Sequence, residues 1–426
     1  MYSQHYRDKT YKNLDMLPYE KLPHVQATVG FSHLEGIRVL DLSTSVAGPY
    51  ATQLLADFGA TVLKIEKIDG GDDARQWGPP FLNGASLWFL SVNRNKHSMA
   101  LDVSQPAGID ILMSLLETTD VLVLNMTPRV QAKLGLDYAK LQQKFPQLIH
   151  ASLTGFGLTG SRADHPCYDL ISEGYSGIMD LTGEFENDPQ KVGTPAADML
   201  AGQDLAMAAL AAINGRNKTG KGCCIDISMH STMSRFTAPR VVAYLGSGEL
   251  PRRSGGRDSV IAIYQVFNTA DAQLSLGLGN DAIWKRFWET VGDIKFGQTP
   301  AYANNAGRRE HRQAIVAHIT EVLKTRTRDE WLALFAANRI PAGPINRVDE
   351  VVADQDLLDK EFFYTSDSAY GPIPQVGLGI HIDGQQRVHR KSPPKLGEDT
   401  QVVLKDWLTM SDEEIEKLQQ AGIVNR

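Results

Sequence analysis

Cysteine is scarce in this 426-residue chain, with only Cys167, Cys223 and Cys224 present. Cys223 and Cys224 are adjacent and poorly placed to pair with each other, Cys167 stands alone, and none has a partner at metal-ligand spacing. Neither a disulfide framework nor a thiolate metal site is therefore expected. An excess of positive charge is missing too. Lys and Arg number 43 against 50 Asp and Glu, a net charge of −7, which argues against a nucleic-acid surface but leaves room for a local basic groove. No apolar run approaches the roughly 18 residues that span a bilayer, so no membrane partner is expected. The opening residues, Met1-Tyr-Ser-Gln-His-Tyr-Arg-Asp-Lys, are polar and lack the apolar core of a secretory signal, and the expected location is the cytoplasm. Catalytic signatures are absent as well. There is no Gly-x-x-x-x-Gly-Lys-[Ser/Thr] loop, and the missing Gly-x-Ser-x-Gly counts against a hydrolase of the nucleophile-elbow type. His-Glu-x-x-His is missing, and no metal is expected.

What is present reads as an ordinary globular chain, 42% hydrophobic and 22% charged, long enough for two or three domains. Residues 1–35 have weak periodicity and read as a surface arm. Ile37-Arg-Val-Leu-Asp-Leu suits a buried strand, and Pro49 then opens a helical segment that Gly59 closes. Thr61-Val-Leu-Lys-Ile, Val121-Leu-Val-Leu and Leu148-Ile-His-Ala-Ser-Leu read as further strands, with helices expected near 107–116 and 138–145. Strands alternating with helices imply right-handed βαβ units and a parallel sheet, an α/β fold. After the turn Thr154-Gly-Phe-Gly-Leu-Thr-Gly the pattern shifts to a long Ala/Leu helix over 201–214 and a strand at Cys224-Ile-Asp-Ile-Ser. Alternating runs over 251–292 suit a smaller α+β domain, helices resume over 308–338, and 408–423 is amphipathic. The expected division is an arm over 1–35, a large domain over 36–222, a small one over 223–330, and a return to the large domain over 331–426.

Two places could carry chemistry. The first βα turn, Ser43-Thr-Ser-Val-Ala-Gly-Pro-Tyr, leads into a helix N-terminus whose free N–H groups can receive an anion. It lacks the dinucleotide fingerprint, and by itself it is a tight turn. Asp198, in Val192-Gly-Thr-Pro-Ala-Ala-Asp-Met-Leu-Ala-Gly, lies between a Gly/Pro-rich turn and a long apolar helix. Pattern alone favours a helix cap there over a reactive carboxylate. Tyr168-Asp169 is by itself a turn, Trp77 and Trp88 are core aromatics or pocket walls, and Lys64, Lys67, Arg129 and Lys133 read as solvated surface cations.

Taken together and in order, several stretches resemble a known family, the class III coenzyme A transferases of the formyl-CoA and carnitine CoA transferase type. They are Gly36-Ile-Arg-Val-Leu-Asp-Leu-Ser, Ala47-Gly-Pro-Tyr-Ala, Leu55-Ala-Asp-Phe-Gly-Ala-Thr-Val-Leu-Lys-Ile-Glu and Asn93-Arg-Asn-Lys-His-Ser. Ser152-Leu-Thr-Gly-Phe-Gly, Tyr168-Asp-Leu-Ile-Ser, Ala196-Ala-Asp with Gly202, Lys218-Thr-Gly-Lys-Gly, Ile225-Asp-Ile-Ser-Met and Pro394-Lys-Leu-Gly-Glu complete the set. The resemblance runs from about residue 33 to residue 423.

The resemblance implies a fold with a Rossmann-like large domain built from both chain ends, a smaller α+β domain, and two chains interlocked as a homodimer. It places the catalytic aspartate on Asp198, which would attack a donor acyl-CoA and pass through a mixed anhydride to an aspartyl-CoA thioester. Coenzyme A and acyl-CoA are then substrates, small carboxylic acids are the other partners, and no tightly bound cofactor is implied. Contacts to coenzyme A map to Val46, Ala47, Lys67, Leu101 to Ser104, Asn125, Met126, Thr127 and Lys133, and the approach to the nucleophile maps to Pro166, Tyr168 and Asp169. The acyl pocket maps to Trp77, Trp88, Phe156, Gly255 and Gly256. Trp88 and Phe156 stand where phenol hydroxyls suited to oxalate are expected, so the implied acid is another one, such as a branched or unsaturated acid or a dicarboxylate. Two alternatives stay open. One is an α-methylacyl-CoA racemase, although the second proton carrier that such an enzyme needs falls here on Tyr168. The other is a CoA-binding paralogue without turnover.

Overall fold

Six extended runs between Arg38 and Ser228 pair side by side in the computed structural model, which describes residues 16–386 and 388–425. They are β1 (Arg38–Asp41), β2 (Thr61–Glu66), β3 (Lys96–Ala100), β4 (Val121–Leu124), β5 (Ile149–Thr154) and β6 (Cys224–Ser228). All neighbours are parallel, in the order β3-β2-β1-β4-β5-β6. The order reverses between β1 and β4, and that switch point, at the carboxyl ends of the strands, is where doubly wound sheets open a crevice for ligands. Val121–Leu124 is buried at every position, as a sheet covered on both faces requires.

β3 does not read as a strand in the sequence, because Lys96, His97 and Ser98 break the apolar run. It forms because Lys96 is neutralised inside the sheet, where its ammonium lies 3.2 Å from the Asp41 carboxylate, both fully buried. Lys64 corrects the expectation in the same way. It is not a surface cation but a buried one, 2.8 Å from Asp72.

The helices that matter for the site are α1 (Ala47–Asp57), α2 (Pro106–Leu116), α3 (Pro128–Leu134), α4 (Tyr138–Lys144), α5 (Asp169–Ser176), α6 (Ala196–Thr219) and α7 (Met229–Phe236). At 24 residues α6 is longer than expected, and by length and composition it could cross a membrane. In the fold it buries Ala197, Ala201, Gly202, Leu205 and Ala209, so it is a layer helix of the sheet.

Contacts divide the chain into two units. The first holds the described residues up to Ser176, Gly193–Phe236, and those from Asp354 onward. The second holds Gly177–Val192 and Thr237–Ala353. The boundaries differ from the expected 223–330. β6 belongs to the first unit because Ile225 pairs with Ala151 on β5. Residues 331–353 stay in the second unit because Ala342–Pro344 adds a strand to its antiparallel sheet beside Gln273–Gly277. That unit has its own core of Trp284, Phe287, Trp288, Ile315 and Phe335.

Residues 16–35, mostly exposed, are tied to the first unit. The Val25 N–H donates to the Thr365 carbonyl at 2.8 Å, that of Thr28 donates to His389 at 2.9 Å, and Phe31 stacks on Phe58 at 5.8 Å. The first 15 residues of the expected arm lie outside the described residues. The C-terminal segment finishes the sheet at its β3 edge. Asp399 accepts from the Ser98 N–H at 2.9 Å, and the Asp102 N–H donates to the Ile423 carbonyl at 2.9 Å.

Candidate active site

Asp198 does not cap its helix. Pro195 is the residue before α6, and Asp198 is the third residue inside it. The capping role falls to Asp169, whose Oδ1 accepts from the Ala197 N–H at 2.8 Å and the Asp198 N–H at 3.2 Å. A remote carboxylate thus satisfies donors that a helix start leaves open, and the Asp198 carboxylate is left free. Burial first, and the Asp169 charge second, push the Asp198 carboxyl up to about 7 from its ordinary 3.8. A carboxylate desolvated beside a second one binds its proton more tightly and becomes a stronger base and nucleophile near neutral pH.

One turn along α6, Gly202 abuts α1. A Cβ at Gly202 would stand 2.7 Å from the Ala47 carbonyl and 3.0 Å from the Tyr50 ring. Residues four apart share a helix face, so Asp198 lies on the face turned to α1, one turn beyond this crossing. The turn ahead of α1 is held rigidly. Ser45 adopts φ 72°, and its N–H donates to Asp72 Oδ1 at 2.9 Å. Asn125, just after β4, accepts from the Thr44 N–H at 3.1 Å and returns a bond to the Thr44 carbonyl at 2.8 Å. This clamp ties the loops after β1 and β4 across the switch point. Beneath it lies Asp41, fully buried, bonded to Ser43 and Thr52 and paired with Lys96.

The wall beside Asp198 comes from the loop after β5. Gly155 leaves no room for a Cβ against Cys167, whose thiol is pushed up to about 11 by burial and by the Asp198 and Asp169 charges. That thiol stays protonated at neutral pH and is not a competing nucleophile. Phe156 follows, with its ring centroid 5.1 Å from Tyr175, 5.9 Å from His230 and 6.1 Å from His165. Arg162 sits over the Tyr175 ring at 4.8 Å. Sequence reasoning missed Arg162, Tyr175 and His230. The available signal was position, since His230 follows the end of β6 and Arg162 comes just after the Gly-rich turn that follows β5.

The remaining residues named from the sequence fall in several places. Val46 and Ala47 are buried at the start of α1, Met126 is half-buried and Thr127 precedes α3. Leu101 is core, bridging to Val424, and Ser104 Oγ donates to Asp102 at 2.6 Å. Lys67 pairs with Asp73 at 2.8 Å on the surface, Lys133 is exposed in the last turn of α3, and the Arg129 N–H donates to Asp164. Pro166 and Tyr168 are exposed. Trp77 and Trp88 meet edge to face at 5.9 Å, and Trp77 packs on the small core of Leu82, Phe89 and Ile373, apart from the Phe156 group. Gly255 and Gly256 belong to the second unit, where they line a cavity of about 550 Å³ with Arg257, Tyr264, Ser275 and Gly343. Gly255 has φ 59° and leaves no room for a Cβ against the Glu184 carboxylate. Among the described residues no cluster of three or more His, Cys, Asp or Glu could hold a metal ion.

Comparison with known proteins identifies the family. The model of CoA-transferase family III matches residues 34–400. A succinate–glutarate CoA-transferase of Agrobacterium fabrum is 37% identical over 88% of this chain and 96% of its own length. A succinyl-CoA:glutarate CoA-transferase of Mus musculus is 33% identical over 92% of this chain and 90% of its own. Among solved structures, a CAIB/BAIF family protein from Brucella suis superposes with a TM-score of 0.76 at 35% identity, covering 88% of this chain and 98% of that one. The chain belongs to CoA-transferase family III and is a CoA-transferase enzyme acting between acyl-CoA thioesters and carboxylic acids.

Proposed function

We propose that this enzyme moves coenzyme A between acids through Asp198, and that dicarboxylic acids are among its substrates. The observation that carries the reading is the free, half-buried Asp198 carboxylate at the head of α6, raised to about 7 by burial and Asp169. In the first step an Asp198 oxygen attacks the thioester carbonyl of the donor, and the C–S bond breaks. This gives a mixed anhydride and coenzyme A thiolate. The thiolate then attacks the Asp198 carbonyl carbon, releasing the donor acid as its carboxylate and leaving an aspartyl-CoA thioester. The acceptor carboxylate attacks that thioester, and the two steps run in reverse with the new acyl group. Splitting the exchange into acyl transfers avoids direct attack of a free carboxylate on a distant thioester in water.

Relatives named for succinyl-CoA and glutarate favour dicarboxylic acids. The assembly we propose is a homodimer. It is supported by the helix Ala238–Ser247, which buries no residue and presents Val242 and Leu245 at 66% and 75% exposure.

Intact-mass measurement after mixing with succinyl-CoA tests the mechanism. An adduct of coenzyme A less water, trapped by hydroxylamine at Asp198 and missing in Asp198→Ala, is expected. Absence of any adduct, together with exchange of the acyl α-proton into deuterated solvent, would replace the reading with a racemase.

A further inference from the structure

Arg162 differs from four other arginines of the first unit, and from Arg38, which also lies over a ring (Trp407, 5.3 Å), in standing beside the wall of the nucleophile. Arg75, Arg94, Arg216 and Arg235 each pair with a carboxylate, on Glu66, Asp57, Asp120 and Asp204 respectively. Among the described residues no carboxylate pairs with Arg162. Its guanidinium is held by rings alone, 4.8 Å from the Tyr175 centroid and 6.0 Å from that of Phe156. Stacking of this kind positions the planar group without neutralising it, and leaves its donor edge available to an anion. The residue is exposed, and Tyr175 beneath it is 49% exposed, so the edge can be reached.

The rings that hold Arg162 share a wall with the nucleophile. The His230 N–H donates to the Gly155 carbonyl at 3.0 Å, which fixes the start of α7 to the loop that carries Phe156. Gly155 is packed on Cys167, and the Cys167 thiol feels the Asp198 charge. The sequence of neighbours therefore runs from Asp198 through Cys167 and Gly155 to Phe156, and ends on an unneutralised cation.

We propose that Arg162 binds the second, unreacting carboxylate of a dicarboxylic acid and so selects such acids over monocarboxylic acids of the same length. This rests on the reading of Asp198 as the nucleophile. A planar guanidinium meets a carboxylate through two parallel, charge-assisted hydrogen bonds, and an alkyl end offers nothing in their place. The Phe156 and Tyr175 rings supply apolar contact for the methylene chain between the two ends.

The test compares glutarate with pentanoate, which match in chain length and differ in the second carboxylate. Wild type and Arg162→Gln, first charged with coenzyme A at Asp198, are mixed with each acid while loss of the adduct is followed. Wild type is expected to be discharged by glutarate at concentrations about tenfold or more below those of pentanoate. Arg162→Gln should lose that preference through the concentration dependence rather than the limiting rate, and Arg162→Lys should recover part of it. An unchanged glutarate-to-pentanoate ratio in Arg162→Gln overturns the proposal, as does a wild-type preference for pentanoate. Calorimetric binding of glutarate to uncharged protein decides the matter separately. A roughly tenfold loss in Arg162→Gln supports the site even if Asp198 is never charged, and equal binding overturns it. Failure of wild type to become charged at Asp198 counts against the mechanism instead.

Discussion

Asp41 and Asp198 are the same side chain taken out of water in the same unit, and they end at opposite extremes. Burial alone would raise both. At Asp41 that push is outweighed by Lys96, Lys64 and the hydroxyls of Ser43 and Thr52, and the carboxyl is held at about 2. At Asp198 no cation answers, Asp169 adds to the effect of burial, and the carboxyl rises to about 7. Burial does not decide what a carboxylate does; its neighbours do. One aspartate is a permanent anion that holds two lysines and a turn in place. The other is an anion only part of the time near neutrality, and is correspondingly reactive.

Linkage gives the two residues opposite signs. The stability that Asp41 contributes is present above its unfolded value and is lost as pH falls through about 2. Asp198 is favoured in its protonated form by the fold, so its ionisation costs stability as pH climbs from its ordinary value through about 7.

The largest effect should come from Asp198→Ala. Transfer should fall by about 10⁴-fold or more in a steady-state assay, while thermal melting at pH 8 shows no loss of stability and a modest gain. A variant that also unfolds would place Asp198 in the same class as Asp41. Next in size is Asp41→Ala, which strands the buried Lys96 without its anion, while Lys64 keeps Asp72, and should cost about 3–5 kcal/mol in urea unfolding. Unchanged stability would mean that the lysines, not the aspartate, hold the turn.

Gly202→Ala acts on one side of the comparison only. Its methyl would meet the Ala47 carbonyl, so a loss of about 1–3 kcal/mol is expected, with slower adduct formation at Asp198 as the head of α6 is displaced. The smallest change is in pH dependence. Charging of Asp198 should fall about tenfold per pH unit below about 7 and level off above it. Asp169→Asn keeps the acceptor oxygen for the cap but removes the charge, so the acid limb should move to lower pH. A limb that stays in place would assign the whole shift to burial.

Much of the fold was legible because covered parallel strands read as apolar runs. β1, β2, β4 and β5 are visible in this way, whereas β6, at the sheet edge with Asp226 between Ile225 and Ile227, is not a covered apolar run. β3 was hidden because Lys96 and Ser98 are buried by virtue of partners on other strands, which no local pattern shows. The same blindness made Lys64 look like a surface cation. The unit boundary at Phe236 was missed because β6 joins the sheet from beyond α6, a pairing that depends on register with β5. At the site, local pattern made Asp198 a helix cap. Only the resemblance to the CoA transferases raised it, and only the structure shows that Asp169 does the capping. Arg162 carried only the signal of its place after β5, because its partners are rings at positions 156 and 175 that meet through folding alone.

The seam between the Ser98 N–H and Asp399 has a consequence for how the chain is made. A ribosome delivers Asp198 and every strand of the parallel sheet by Phe236, then the rest of the second unit, Thr237–Ala353, and only afterwards the segment that covers β3. At about 5–20 residues per second, the interval from Phe236 to Asp399 lasts roughly 10–30 s. During that time the newborn sheet carries an open edge, the kind that invites pairing with other chains. A chain that stopped short of Asp399 would hold its nucleophile and leave this border of the sheet unpaired.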